Sequence, residues 1–145
     1  MVAIKRESIR ILIVDDMPDQ IIILRTFLMD EGFRLLTDAS DGKKALAHLR
    51  KNSFHLIICD WNMPVMTGLQ LLQEVRRREE TTHIPFLMVT GESDSGKVNA
   101  AIKCGVSGFV IKPFTHDILI KKVLKILSSV ESPAKFMAFR ANNGS

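Results

Sequence analysis

The sequence predicts an α/β fold, a doubly wound, five-stranded parallel sheet covered by five helices. Apolar runs such as Ile11-Leu12-Ile13-Val14 and Leu56-Ile57-Ile58-Cys59 have the length and composition of strands buried on both faces. These runs alternate with helical stretches, giving five βα units whose crossovers set helices on both sides of a parallel sheet. The runs also end in chemically active residues, Asp15-Asp16, Asp60 and Lys112-Pro113. In an open parallel sheet the ligand site lies just beyond the carboxyl ends of the strands, so these groups share one pocket.

The elements follow in order. The first strand spans about 9–14, and Pro18 suits the first turn of a helix over 18–31 that Gly32 stops. A strand near 33–38 leads to Asp41, which can cap a helix over 41–51. The third strand covers 54–59 and the third helix 66–79, where Arg76-Arg77-Arg78 followed by Glu79-Glu80 reads as a solvated helix end. Pro85 can only open a strand, here 84–89. A helix over 94–104 stops at Gly105 before the last strand, 107–111. In the final helix, 115–129, Leu119, Val123, Ile126 and Leu127 form one stripe and leave Lys121, Lys122 and Lys125 outside.

Size and composition narrow the function. A chain of 145 residues fits one domain that buries roughly two thirds of its unfolded surface without metal or disulfides. No stretch approaches the ~20 apolar residues of a membrane span. Lys5, Arg6 and Glu7 come too early for a signal-like segment. A cytoplasmic protein with no membrane association is the expectation. The net charge of +4 does not imply nucleic-acid binding, because the basic residues are spread over helix faces. Only fifteen residues follow position 130, too few for a DNA-reading module. Cys59 and Cys104 lack a CxxC spacing or nearby histidines and read as small buried hydrophobes. His48, His55, His83 and His116 are scattered and belong at surface or boundary positions. Residues 1–7 read as an N-terminal extension, and 131–145 as a flexible tail or truncated linker.

The pocket has a definite chemistry. Two like charges about 4 Å apart repel by roughly 4 kcal/mol at an effective dielectric near 20, so a cluster of Asp15, Asp16 and Asp60 asks for a divalent cation. Mg²⁺ suits it, since it takes one or two carboxylates and keeps several waters; a main-chain carbonyl after Asp60 can complete the set. A carboxylate beside Mg²⁺ can act as a nucleophile toward phosphorus. Thr90, at the end of the fourth strand, can donate to a phosphoryl oxygen, and Lys112 supplies a compact positive charge for another.

Taken in order, Asp15-Asp16, Asp60-Trp61-Asn62-Met63-Pro64, Thr90 and Gly108-Phe109-Val110-Ile111-Lys112-Pro113-Phe114 resemble the receiver domain of two-component response regulators, and its CheY-like chemotaxis members in particular. The similarity spans about residues 8–130. It implies a flavodoxin-like sheet of order 2-1-3-4-5. It also implies that Asp60 is the residue phosphorylated by a histidine kinase, with Asp16, Asp60 and the Asn62 carbonyl as direct Mg²⁺ ligands and Asp15 a ligand through water. Thr90 and Lys112 would hold phosphoryl oxygens, Thr90 and Phe109 would form the switch, and Lys112-Pro113 would be a cis peptide. The implied protein is a monomeric phosphoacceptor rather than an enzyme acting on a substrate. Its output is a target protein on the face of the fourth helix, fifth strand and fifth helix, a flagellar motor component ahead of another signalling protein.

Three features depart from the chemotaxis pattern: Phe109 in place of tyrosine, Gly91 in place of alanine, and Asp94-Ser95 in place of two lysines. Asn62 and Glu92 resemble positions that admit and orient attacking water in short-lived receivers. Other readings fit less well. An aspartyl-phosphate phosphatase needs an acid two residues after Asp60, where Asn62 stands. An FMN binder wants a phosphate-cradling loop where Asp15-Asp16 would repel phosphate. A receiver module of a larger regulator, or a phosphate sink, keeps the same site.

Overall fold

A computed structural model describes residues 5–91 and 95–130 of the chain; Glu92, Asp94, the side chain of Ser95 and the 131–145 segment lie outside the described residues. The elements are β1 (Arg10–Val14), α1 (Pro18–Asp30), β2 (Leu35–Ala39), α2 (Gly42–Lys51), β3 (Leu56–Asp60), α3 (Gly68–Arg77), β4 (Phe86–Thr90), α4 (Ser95–Lys103), β5 (Gly108–Ile111) and α5 (His116–Val130). All strand pairs are parallel, in the order β2-β1-β3-β4-β5, as expected.

Alternation along the strands divides the core in two. Leu12, Val14, Ile57, Cys59, Phe86 and Met88 face α2, α3 and α4, whereas Ile11, Ile13, Leu56, Ile58, Leu87 and Val89 face α1 and α5. Every residue of β3 and β4 is buried. Each large aliphatic side chain so buried contributes about 1.5–3 kcal/mol, and this fixes the register that sets Ile13 beside Ile58 and Ile58 beside Leu87. The Leu119, Val123, Ile126 and Leu127 stripe of α5 is buried as its spacing requires.

Local signals operate where expected. Pro18 opens α1, and the Asp41 carboxylate accepts from the Lys44 N–H at the start of α2. Gly32 and Gly105 have φ of 100° and 87°. After α1, the Gly32 N–H bonds to the Met29 carbonyl and the Phe33 N–H to the Leu28 carbonyl; Gly105 with Ile102 and Val106 with Ala101 repeat this closure after α4. The closure explains why β2 starts at Leu35 rather than residue 33. Phe33, fully buried, completes the stop of α1 by packing back on the Leu28 core.

Two other positions differ from the sequence reading. Arg76 is not part of a solvated end: it donates to the carbonyls of Gly105, Thr82 and Ile84, tying α3 to the loops before β4 and β5. Cys59 is buried, but Cys104 is only half-buried. None of the four histidines is buried.

His55 joins the starts of β1 and β3. Its Nδ1 accepts from the Arg10 N–H at 3.0 Å, while its own N–H donates to the Arg10 carbonyl. Burial first, and the Arg10 charge second, lower its pKa from 6.5. The folded chain therefore binds this proton less tightly than the unfolded one, so the stability it contributes is present above pH 6.5 and declines as pH falls below that value. Urea unfolding between pH 7.5 and 5 should show falling stability. His55→Asn, which keeps an acceptor and removes the titration, should flatten the decline, at a cost near neutrality of about 1 kcal/mol or less.

Candidate functional site

The carboxyl ends of β1, β3, β4 and β5 converge on one cleft. Parallel register sets Val14 beside Cys59 and Asp60 beside Val89, so the residues that follow β1 meet the last residue of β3. Asp15 extends the β1 ladder by donating its N–H to Ala39, and its Oδ1 accepts the Met17 N–H at 2.9 Å, turning the chain toward Pro18. One oxygen from each of Asp15, Asp16 and Asp60 lies within 4.8 Å of the others. Asp15 is fully buried, Asp60 nearly so, and Asp16 half-buried.

Lys112 reaches this cluster from the end of β5. Its Nζ is 2.9 Å from Asp60 Oδ1 and 3.6 Å from Asp15 Oδ2, and its N–H donates to the Thr90 carbonyl, which fixes the base of the side chain. The Lys112-Pro113 peptide is cis. Burial raises the pKa of Asp15, and the neighbouring Asp60 and Asp16 raise it further; the Met17 N–H and Lys112 oppose them. One lysine does not satisfy three acids. Asp15 Oδ2 is buried and accepts no hydrogen bond. An all-oxygen donor set with an orphaned carboxylate oxygen fits a hard divalent cation such as Mg²⁺.

Thr90 ends β4 and is 1% exposed. It follows Met88 by two residues, and Met88 is the register partner of Phe109. Pleat alternation therefore sets Thr90 and Phe109 on the sheet face covered by α2, α3 and α4, and Asp60 and Lys112 on the other parity. Phe109 is half-buried against that core. Ile102 of α4, Ile111 of β5 and Ile118 of α5 are exposed. Asn62 is exposed in the loop after Asp60, and Glu92 lies outside the described residues.

The loop from Asp60 to α3 holds features that periodicity did not reveal. Trp61 is buried, donates its N–H to the Val89 carbonyl, and has Lys97 Nζ 5.9 Å from its ring centre. The Met66 N–H bonds to the Pro64 carbonyl at 2.7 Å around Val65, whose φ is 70°. This is a γ-turn, with a β-branched residue in the left-handed region. Thr67 and Gln70 form a capping box at the start of α3, a signal legible in Thr67-Gly68-Leu69-Gln70. Gly68 is required by contact, since a Cβ there would overlap the Asp60 carbonyl oxygen.

Residues 11–124 match the family described as the response regulator receiver domain. The chemotaxis protein CheY of Pseudomonas aeruginosa is 43% identical over 121 residues, 83% of this chain and 98% of its own length. The chemotaxis protein CheY-3 of Vibrio cholerae is 41% identical over 126 residues, 87% of this chain and 97% of its own. The solved structure of the chemotaxis response regulator CheY4 of Vibrio cholerae superposes with a TM-score of 0.76 at 34% identity, covering 81% of this chain and 98% of that one.

Two substitutions in this loop should act in opposite directions. Val65→Gly relieves the left-handed strain and should raise stability by about 1 kcal/mol. Gly68→Ala forces α3 away from Asp60 and should lower it by about 1–3 kcal/mol. Denaturant midpoints check both. A destabilised Val65→Gly would show that the side chain is held by contacts worth more than the strain.

Proposed function

The chain belongs to the response regulator receiver family, and from that membership we propose that Asp60 takes a phosphoryl group from a histidine kinase in a Mg²⁺-dependent step that switches the binding of a partner protein. The observation that carries this reading is the Lys112 ammonium 2.9 Å from Asp60 Oδ1, inside a cluster of three acids that one cation cannot neutralise. Asp16, Asp60 and the Asn62 carbonyl would hold Mg²⁺ directly, and Asp15 through water. Bound there, the cation would neutralise both the attacking and the transferred oxygens.

In the transfer, an Asp60 carboxylate oxygen forms a bond to phosphorus as the bond from phosphorus to the donor imidazole nitrogen breaks, and the imidazole leaves with its electron pair. Lys112 neutralises one phosphoryl oxygen and Thr90 donates to another. The phosphoryl group is later lost to water admitted past Asn62 and oriented by Glu92. The protein is thus a phosphoacceptor that supplies its own catalytic groups.

Movement of Thr90 toward a phosphoryl oxygen would open space on the face it shares with Phe109 and let that ring turn inward. An apolar ring favours the inward state more than tyrosine would, since no hydroxyl needs a partner once buried. Phosphate shifts this equilibrium only by its differential affinity for the two states. The exposed Ile102 of α4, Ile111 of β5 and Ile118 of α5 support the α4, β5 and α5 face as the output surface. The chemotaxis relatives support a chemotaxis role, and within it we propose a monomeric, cytoplasmic protein with a flagellar motor component as its target. No helix among the described residues is long and apolar enough to cross a membrane.

Beryllofluoride or acetyl phosphate in Mg²⁺ buffer should add one adduct by intact mass, and Asp60→Asn should abolish it. In the wild type the adduct should shift amide resonances over 95–125. Thr90→Ala should form the adduct with those resonances left in place. Modification that persists in Asp60→Asn would remove Asp60 from the role. A wild-type adduct without shifts would favour a phosphate sink.

A further inference from the structure

We propose that a cleft at the end of the sheet remote from Asp60, walled by Arg76, His83, Ser107, Lys122, Lys125 and Ser129, binds a phosphate-bearing small molecule of nucleotide size. The cleft lies where β4 and β5 begin, between the end of α3 and the outer turns of α5. Its volume of about 410 Å³ falls within the range of ligand pockets.

Its wall carries three permanent cations and no acid. Arg76 is held rigid by three carbonyls, so its charge is fixed in place before any ligand arrives. Lys122 and Lys125 stand one turn apart on α5, a like-charge spacing that costs a few tenths of a kcal/mol and that an anion between them relieves. The Ser107 hydroxyl accepts the Phe86 N–H, leaving its own proton for an acceptor in the cleft. Partial desolvation, and then the charge of Arg76, lower the pKa of His83, which therefore adds a neutral ring to the wall. Pro85 and Ile126 give an apolar floor on which a flat ring can rest. The chain's own 131–145 segment is a poor occupant of a basic cleft, since its sequence carries one acidic side chain, Glu131, and two basic ones, Lys135 and Arg140.

The test titrates tripolyphosphate and ATP, each in EDTA at fixed ionic strength, into the full chain while amide resonances are followed. Saturable shifts should appear at 83, 84, 105–107 and 122–126. Lys125→Glu should weaken binding roughly tenfold or more, because it places a carboxylate in the wall. Lys121→Glu makes the same change in net charge on the exposed side of α5, outside the cleft, and should weaken it less than about threefold. Tighter binding of ATP would identify a nucleoside-bearing ligand, and equal binding a bare polyphosphate. Shifts that rise without saturation, or equal weakening by both variants, would reduce the effect to diffuse attraction and overturn the site. Either outcome leaves the role of Asp60 untouched, since adduct formation there is read separately.

Discussion

The rest of the structure depends on holding three carboxylates together with one ammonium beside them. Repulsion between two charges 4 Å apart is roughly 4 kcal/mol at a dielectric near 20, enough to splay a flexible loop. Here the acids cannot retreat. Asp60 is itself a ladder residue of β3, and Asp15 extends β1 by one more hydrogen bond, so separating them means breaking register between two strands buried on both faces. The apolar burial of β1 and β3 exceeds the local electrostatic cost by a wide margin. A binding site can therefore remain charged and strained within a stable domain.

The same geometry links the cleft to the surface. Along β5 successive residues alternate faces, so Lys112 reaches Asp60 while Phe109 and Ile111 fall toward α4. The Lys112 N–H is bound to the Thr90 carbonyl, so a displacement at Thr90 is felt on the strand that carries Phe109. On the other side, Gly68 lets α3 start against the Asp60 carbonyl, and the γ-turn at Val65 carries the chain between them. Few of these contacts involve long side chains. The site is held mainly by backbone, and its side chains are left for chemistry.

Much of this was legible in the sequence because it is encoded locally. Short apolar runs identified the strands, Pro18, Asp41, Gly32 and Gly105 marked helix ends, and the residues terminating the runs identified the cleft. What escaped depends on contacts distant in sequence or on backbone geometry. Arg76 looked like one of three solvated arginines, yet it bonds to carbonyls up to 29 residues away. Phe33 has the composition of a strand residue and instead closes α1. Nothing in Pro64-Val65-Met66 announces a left-handed valine, since that conformation normally selects glycine or asparagine. Cys104 is half-buried because it sits at the stop of α4, where the helix meets solvent.

Whether the cluster is electrostatically strained without a cation can be measured directly. Asp15 is the most buried of the three acids, its pKa is raised, and asparagine preserves the Oδ1 that accepts the Met17 N–H. A carboxyl with a raised pKa loses stability once pH carries it through ionisation, so neutralising Asp15 removes a cost at pH 7.5. Urea unfolding of wild type and Asp15→Asn, each in EDTA and in saturating Mg²⁺, separates repulsion from packing. Repulsion among the carboxylates predicts a variant more stable than wild type in EDTA, with the gap closing in Mg²⁺ as the cation stabilises the wild type. A variant less stable than wild type in EDTA would contradict it, and would mean that Lys112 alone already balances the cluster.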